Sequence, residues 1–420
     1  MLKVNYVLAV FLSVILFQVV VETWIEVVNM EHLKRGGGRV PPSFESFIDA
    51  AGLADITSYT LAKSRLGLAE GLVSEAVLLL MVLCGFITAL ERSLAAWGLP
   101  YIVSGLIFFF VPGLVLRMIE LPFDYTRAFV IEERFGFNRS TLKIWVTDQL
   151  KSGLLSVVLF SLLLSLVLWT ISSSPRFWWL WGSLIVSCIQ LVLALLYPVF
   201  IAPLFNKFEP VRDELLAVEI TKLMEENGIK VKNVLQMNAG LRSRHTNAYF
   251  TGLGKTKQIV LFDTLLESHS HDEILAVLAH EIGHFKKKHV LKQLLLFEAA
   301  TWVGFYLTYL LLEWPLLTST FGFDSPRPYI GLFLLGIFWQ KAGFFLKPAA
   351  MALSRKFERE ADLFAASMLK TGSPLASALK KMAADNLSNL NPHPLYVRFH
   401  YSHPPLVERT ALLEETSPNV

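Results

Sequence analysis

The chain has 420 residues, of which 54% are hydrophobic and 17% are charged, and its mean hydropathy is +0.50. Soluble domains carry about a quarter of charged residues, so this composition excludes an ordinary soluble protein and favours a multi-pass membrane protein. The net charge is only +3, which gives no reason to expect a nucleic-acid partner.

The apolar residues gather into seven runs, each long enough to cross a bilayer as a helix. The first run is interpreted as a retained helix rather than a signal peptide, because it is long and lacks a clear small-residue cleavage site. We predict spans near residues 4–28, 71–90, 100–119, 153–172, 177–202, 290–313 and 328–350.

Basic residues are distributed unevenly over the connections between these spans. The connections after spans two, four and six hold only Arg92, Arg176 and Arg327, whereas those after spans one and three are rich in Lys and Arg. Because such an excess marks cytoplasmic loops, we predict an outside N-terminus and a cytoplasmic C-terminus, in a bacterial inner membrane or the endoplasmic reticulum. The basic loops contain Lys34, Arg35, Arg39, Lys63 and Arg65, and Arg117, Arg127, Arg134, Arg139, Lys143 and Lys151.

Two polar regions interrupt the series of spans. Residues 204–289 predict a small cytoplasmic α/β unit, with a helix over 214–227 and strands over 231–237 and 258–262. Residues 351–420 predict a mostly helical cytoplasmic region. The predicted domains are therefore spans one to five with their loops (1–203), the α/β unit (204–289), spans six and seven (290–350) and the C-terminal region (351–420).

The α/β unit ends in His280-Glu281-Ile282-Gly283-His284, which has the spacing of a zinc peptidase motif. Positions i and i+4 of a helix share a face, so His280 and His284 can donate imidazole nitrogens to one Zn²⁺. Glu281 can then reach a water molecule as its general base. The alternative interpretation is a surface helix with two hydrogen-bonded histidines.

A catalytic zinc site usually has three protein ligands, so this motif needs a partner elsewhere. The metzincin pattern is excluded, because Lys287 and Val290 stand where it requires Gly and His. His289 is one residue out of register and is predicted to point elsewhere on the helix.

A helix directly after span seven offers the missing ligand. Glu358 and Asp362 are four residues apart and share a face, whereas Glu360 is predicted to turn away from both. We predict that Glu358 binds the metal and that Asp362 accepts a hydrogen bond from a ligating imidazole, fixing its tautomer. A solvated acidic helix is the alternative, but the apolar residues around this pair disfavour it.

These residues, together with several longer motifs, resemble the type I CAAX prenyl endopeptidases, which are integral-membrane zinc metallopeptidases. The similarity extends over nearly the whole chain. Its further motifs are EERFGFNRST at 132–141, IAPLFNKF at 201–208, NAYFTG at 247–252, IVLFDTL at 259–265 and SHPP at 402–405.

The resemblance implies a fold: seven transmembrane helices forming a barrel around a water-filled chamber, with a gluzincin-like α/β zinc peptidase unit on the cytoplasmic side. It also implies roles for residues that spacing alone leaves open. His403 would help to stabilise the oxyanion, and Asn247 would lie on the strand that pairs with the extended substrate. Arg409 would tie the C-terminal tail to the site.

The expected function is a membrane zinc endopeptidase with one Zn²⁺ per chain, cleaving near the C-terminus of prenylated CAAX-type proteins or peptides. Its partners would be this substrate and the bilayer, and the sequence leaves open whether the substrate must be prenylated. One alternative is a prokaryotic quality-control metalloprotease that acts on membrane proteins. A non-catalytic membrane scaffold is disfavoured by Glu281, since a structural metal site needs no base. The ending 417–420 has no evident endoplasmic-reticulum retrieval signal.

Overall fold

The computed structural model describes residues 2–36, 39–251, 258–323 and 327–416. The four C-terminal residues, on which the absence of a retrieval signal was judged, and the glycine that ends the motif at 247–252 lie outside these ranges. The described chain is mostly helical and contains one small sheet.

Helices, numbered in chain order, make up most of the described structure. Short π-helical stretches, Arg127–Glu132 and Tyr197–Ile201, extend the fourth and sixth of them. The helices are α1 (Tyr6–Gly36), α2 (Ala50–Leu83), α3 (Phe86–Trp97), α4 (Tyr101–Thr126), α5 (Leu142–Ser173), α6 (Trp178–Leu196), α7 (Ala202–Phe205), α8 (Glu214–Glu226), α9 (Asp263–Ser268), α10 (His271–Lys286), α11 (His289–Leu312), α12 (Pro315–Ser319), α13 (Pro328–Phe344), α14 (Lys347–Leu369), α15 (Ser373–Asp385), α16 (Pro394–His400) and α17 (Leu406–Glu415).

The predicted membrane spans are confirmed as apolar helices. Within the described ranges, six helices are long and apolar enough to cross a bilayer, namely α1, α2, α4, α5, α6 and α11. The seventh span corresponds to α13, which is followed by α14 after a bend of 53°. The bend turns α14 away from α13, so that α14 can pack along α10.

The second span differs most from its prediction. Its helix begins at Ala50, where the Asp49 side chain accepts a hydrogen bond from the N–H of Gly52, and so it includes Lys63 and Arg65. These two residues were predicted to lie in a loop. A hydropathy window marks only the apolar part of a helix, whereas the helical backbone satisfies its own hydrogen bonds beyond that part. At the other end, Gly85 adopts a φ of 85° and turns the chain into α3.

The α/β unit contains a four-stranded sheet with the order β1-β2-β4-β3. Strand β4 is parallel to β2 and antiparallel to β3, so β3 lies at one edge. Apolar side chains of α8, α10 and β4 form a common core beneath the sheet. The strands are β1 (Phe208–Pro210), β2 (Asn233–Met237), β3 (Ala248–Thr251) and β4 (Gln258–Phe262).

Helix α10, which carries the HExxH motif, is held in place by a cap at its N-terminus and by a close contact with α14 near its C-terminus. At its start, the Ser270 hydroxyl accepts from the N–H of Glu273, and the Glu273 carboxylate accepts from the N–H of Ser270. This capping box satisfies two backbone donors that a helix end leaves free. Further along, a Cβ on Gly283 would lie 3.0 Å from Cα and 3.1 Å from the carbonyl oxygen of Ala361. Glycine therefore allows α10 and α14 to touch through their backbones.

Candidate active site

The close contact between α10 and α14 brings two histidines and one glutamate together. The Nε2 atoms of His280 and His284 are 3.1 Å apart. Glu358 lies across from them, with Oε2 3.3 Å from Nε2 of His280 and Oε1 3.3 Å from Nε2 of His284. The three residues predicted to bind the metal are therefore neighbours in space, and we refer to His280, His284 and Glu358 together as the cluster.

The spacing of these donor atoms fits a tetrahedral metal site. Zinc with ligand bonds of about 2.0–2.1 Å holds adjacent tetrahedral donors about 3.3 Å apart; the two imidazole nitrogens are 3.1 Å apart, and each lies 3.3 Å from a different oxygen of Glu358. In the described part of the chain, the buried Oε2 of Glu358 has no hydrogen-bond partner. Two imidazole nitrogens and a carboxylate oxygen that converge in this way can hold a divalent metal ion.

The electrostatics of the cluster also favour a cation. Burial by itself would lower the pKa of His280, but the carboxylates of Asp362 and Glu358 outweigh burial and raise this pKa to about 9. The cluster therefore stabilises positive charge, whether it is carried by a proton or by a metal ion. A metal must displace that proton in order to bind.

Asp362 supports His280 from behind the cluster. Its Oδ1 lies 2.8 Å from Nδ1 of His280, and its two oxygens accept hydrogen bonds of 2.6 and 2.8 Å from the guanidinium of Arg409. Asp362 is fully buried and Arg409 is nearly so. Arg409 thus joins the C-terminal helix α17 to the site through this carboxylate.

Glu281 follows the first histidine and differs from its neighbours in having no fixed partner. No hydrogen bond or ion pair of its carboxylate is found among the residues that the structure describes. Burial raises the pKa of Glu281, and the neighbouring imidazoles of His280 and His284 only partly oppose this rise. A half-buried carboxylate with an elevated pKa suits a group that takes up and releases a proton.

His403, from the loop before α17, also reaches the cluster. Its Nε2 lies 3.3 Å from Oε1 of Glu358, and its Nδ1 is 2.9 Å from the hydroxyl of Ser402. The His403 side chain remains 57% exposed. It is thus held beside the cluster with one face open.

Asn247 lies immediately before the edge strand β3. Its carbonyl accepts a hydrogen bond from the N–H of Phe262 in β4, and its side-chain oxygen accepts one from the N–H of Ala248. Antiparallel pairs alternate, so the N–H of Ala248 points away from β4. Within the described ranges, no strand pairs with this outer edge of β3.

The sequence analysis missed two side chains that adjoin the cluster. His289 was predicted to point elsewhere, yet its Nδ1 lies 3.0 Å from Nδ1 of His284, and its Nε2 contacts Glu360, which had been predicted only to turn away from Glu358 and Asp362. For His289, the cause is a break in the helix at Lys288, whose φ of 56° lies in the left-handed region and separates α10 from α11. The three consecutive lysines give no sign of this break, because lysine is not a residue that favours the left-handed region.

A cavity of about 600 Å³ adjoins the site. Its lining includes His403 and Arg409 from the C-terminal region, and Glu26 and Lys63 from the membrane helices α1 and α2. The cavity is therefore shared between the membrane part of the chain and the region that carries the cluster.

These features define the class of protein: a multi-pass membrane protein whose α/β unit has the architecture of a metallopeptidase. Residues 29–207 match the family described as the CAAX prenyl protease N-terminal region with five membrane helices. Residues 210–417 match peptidase family M48. The chain belongs to the M48 family of metallopeptidases and combines both of its matched regions.

Relatives align with nearly the full length of the chain. CAAX prenyl protease 1 from Saccharomyces cerevisiae is 33% identical over 415 residues, which cover 92% of this chain and 91% of the relative. The CAAX prenyl protease 1 homolog from Homo sapiens is 32% identical and covers 89% of this chain and 88% of its own. The crystal structure of S. mikatae Ste24p superposes with a TM-score of 0.90 at 29% identity, covering 98% of this chain and 99% of that one. The predicted membrane fold is thereby confirmed.

Proposed function

We propose that the chain is a zinc endopeptidase that cleaves near the C-terminus of prenylated CAAX-type proteins at the membrane. The observation that carries this proposal is the buried cluster of His280, His284 and Glu358, beside which Glu281 has no hydrogen bond or ion pair to any residue that the structure describes. The names of the yeast and human relatives support the substrate class. A CAAX substrate ends in a free carboxylate three residues after a cysteine that carries a prenyl chain.

His280, His284 and Glu358 would hold the metal. Zinc is favoured because two imidazoles and one carboxylate form the donor set of many catalytic zinc sites, which leave a fourth position open. When bound, Zn²⁺ supplies Lewis-acid polarisation of the scissile carbonyl and a lowered pKa for water.

Glu281 would act as the general base and then as the general acid. Its carboxylate accepts a proton from the attacking water and delivers it to the departing amine. The raised pKa of Glu281 supports both steps. His403 would donate its Nε2–H to the developing oxyanion, since the Ser402 hydroxyl can donate to Nδ1 and keep the proton on Nε2.

The edge of β3 would bind the substrate backbone as an added strand. This mode of peptide recognition uses main-chain groups that point away from the sheet, and the N–H of Ala248 is such a group. The Asn247 side-chain oxygen now occupies that N–H. Asn247 would therefore release it when the substrate pairs with β3, and its amide would then be free to contact the peptide.

The membrane setting suits a substrate that is anchored by a lipid chain. The shared cavity has lining residues from α1 and α2 as well as His403, so a peptide held at the bilayer could reach the site. From the distribution of Lys and Arg we also propose that the site faces the cytoplasm and the N-terminus faces outside. Protection of a C-terminal epitope in sealed vesicles of known orientation tests this topology.

The decisive experiment compares hydrolysis of a farnesylated CAAX peptide with that of its unprenylated twin by the purified protein in detergent. We expect prenyl-dependent cleavage that falls at least about 100-fold in Glu281→Gln, while bound zinc, measured by elemental analysis, stays near one per chain. Retained metal with lost activity would separate the general base from the ligands.

The other outcomes each overturn a defined part of the proposal. Equal cleavage of both peptides contradicts the requirement for prenylation and favours a quality-control protease. Full activity in Glu281→Gln contradicts the assigned base. Absence of cleavage by folded, zinc-loaded protein contradicts the substrate class and returns the scaffold interpretation.

A further inference from the structure

His289 lies completely inside the protein, although the proposed chemistry does not use it. Its ring is 1% exposed and is stacked on Phe357, with 4.3 Å between ring centres and 9° between planes. Both of its nitrogens have close polar neighbours: Nδ1 is 3.0 Å from Nδ1 of His284, and Nε2 is 3.1 Å from Oε2 of Glu360. A buried imidazole with two polar contacts is fixed in orientation.

The backbone builds this arrangement at a left-handed residue. Lys288 has a φ of 56° and caps the start of α11. On an uninterrupted helix, His289 would lie five residues from His284 and about 140° round the axis from it. The break at Lys288 instead places His289 behind His284, with 3.0 Å between their Nδ1 atoms. A non-glycine residue in this region is uncommon and is often associated with a functional constraint.

The positions of the protons follow from these contacts. Nε2 of His284 faces His280 and Glu358, so a metal held there would bind the Nε2 lone pair, and the His284 proton must lie on Nδ1. That Nδ1–H can donate only to a bare nitrogen, so Nδ1 of His289 must be unprotonated. The proton of neutral His289 is then on Nε2 and donates to the carboxylate of Glu360.

The opposite assignment removes the ligand. If Nδ1 of His289 carried the proton, Nδ1 of His284 would have to accept it, and a neutral His284 would then be protonated on Nε2. A protonated Nε2 cannot bind a metal. Glu360 is a pure acceptor when it is ionised, so it selects the first arrangement and excludes the second.

We propose that His289 and Glu360 form a positioning relay that holds His284 in its metal-binding tautomer and orientation. The relay runs from the proposed metal site through a buried imidazole to a carboxylate that is 32% exposed at the protein surface. It rests on the proposed role of His284 as a ligand. Neither His289 nor Glu360 touches the substrate or the reacting atoms in this scheme.

The test measures zinc affinity by competition with a chelator, independently of peptidase activity. His289→Phe keeps an aromatic ring against Phe357 but removes both nitrogens, and we expect zinc affinity to fall about 10–100-fold. The visible absorption spectrum of the Co²⁺-substituted protein should shift as well, because His284 is no longer held in one orientation.

Two further variants distinguish a relay from simple packing. In His289→Asn, the side-chain oxygen falls near the position of Nδ1 and can still accept from His284, so most of the affinity should return. In His289→Gln, the amide nitrogen reaches the position of Nε2 and contacts Glu360, but no acceptor remains beside His284, so affinity should stay low. If His289 serves only for packing, the zinc affinity of each variant should instead fall in proportion to its loss of thermal stability.

Glu360→Gln keeps an acceptor for His289 but removes the charge, so it should lower zinc affinity less than His289→Phe does. Its matched control is Glu408→Gln, which makes the same change at an exposed residue paired with Arg359 at 3.4 Å and should leave zinc affinity and the Co²⁺ spectrum unchanged.

Wild-type zinc affinity in His289→Phe would overturn the relay, as would equal losses of affinity in His289→Asn and His289→Gln. Retained affinity in His284→Ala would contradict the ligand assignment itself, whatever His289 does.

Discussion

His280 and His284 lie one helical turn apart, yet the protein supports them in different ways. Behind His280 stands a carboxylate, Asp362, which is fully buried and is neutralised by the bidentate guanidinium of Arg409. Behind His284 stands a second imidazole, His289, with its carboxylate one step further away. The first arrangement is a direct, charged contact in the interior, and the second is an indirect contact that ends near solvent.

The two supports predict that His280 is held more firmly than His284. An ionic hydrogen bond is about twice as strong as a neutral one, and burial strengthens it further because water does not screen it. The imidazole behind His284 offers only a neutral acceptor, and the charge of Glu360 is screened at the surface. We therefore expect changes behind His280 to be more damaging than changes behind His284.

The largest expected effect comes from Asp362→Asn. The amide is the same size, but it offers one acceptor oxygen and no charge, so the buried guanidinium of Arg409 keeps only the more distant carboxylate of Glu358, at 3.7 Å, as an ion-pair partner. We expect zinc affinity to fall about 100-fold and the free energy of unfolding to fall by about 3 kcal/mol. Chelator competition and chemical denaturation of the detergent-solubilised protein measure the two quantities.

Asp385→Asn is the matched control for this change, because Asp385 is exposed at the end of α15 and should leave both quantities unchanged. The comparison between the two histidines is wrong if Asp362→Asn lowers zinc affinity less than His289→Phe does.

A smaller effect is expected from Gly283→Ala, which disturbs both histidines together. The new Cβ would lie 3.0 Å from the backbone of Ala361, and overpacking of this kind costs about 1–3 kcal/mol. Alanine also favours the helix by about 1 kcal/mol over glycine, so the free energy of unfolding should fall by only about 0–2 kcal/mol. The separation of α10 from α14 should lower zinc affinity about 10-fold.

Gly304→Ala provides the control, since nothing lies within 4 Å of a Cβ built at that helical glycine. If Gly283→Ala acts by separating the helices, it weakens the same contact as Asp362→Asn does. The loss of zinc-binding free energy in the double variant should then be smaller than the sum of the losses in the two single variants. A fully additive result would mean that the close approach at Gly283 does not hold Asp362 against His280.

The local parts of the site could be predicted from the sequence because they depend on helical spacing alone. His280, Glu281 and His284 are related by one turn, and Glu358 and Asp362 by another. The packing of α10 against α14 was harder to predict, since the need for glycine at position 283 becomes clear only when the neighbouring helix is known. The seven spans were predictable because hydropathy reports burial in lipid directly.

The contact of His289 behind His284 and the bond between Arg409 and Asp362 could not be predicted from spacing, for a different reason. The position of His289 depends on one backbone angle at Lys288, and neither lysine nor its neighbours carry a turn signal. Arg409 was linked to the site only through the resemblance, and its bond to Asp362 joins residues 47 positions apart. Contacts set by a single dihedral angle or by tertiary packing leave no periodic trace in the sequence.

The smallest effect on the histidines is expected from Glu273→Gln, at the opposite end of α10. The Glu273 carboxylate accepts hydrogen bonds of 2.7 Å from Ser377 and from Lys381, in addition to the capping bond. Burial alone would raise its pKa, but these partners outweigh burial and lower the pKa from the ordinary value of 4.5 to about 2. The variant should be less stable by about 1–2 kcal/mol at neutral pH, with little change in zinc affinity.

The free energy of unfolding of the metal-free protein should depend on pH through Glu273. Because the folded pKa of Glu273 lies below the unfolded value, its stabilising contribution is complete above about pH 4.5 and is lost as the pH falls toward about 2. The stability difference between wild type and Glu273→Gln should therefore shrink over that interval. If Glu273→Gln instead lowered zinc affinity as much as His289→Phe does, general loosening of α10 would explain both results. The distinction between the two histidines would then lose its support.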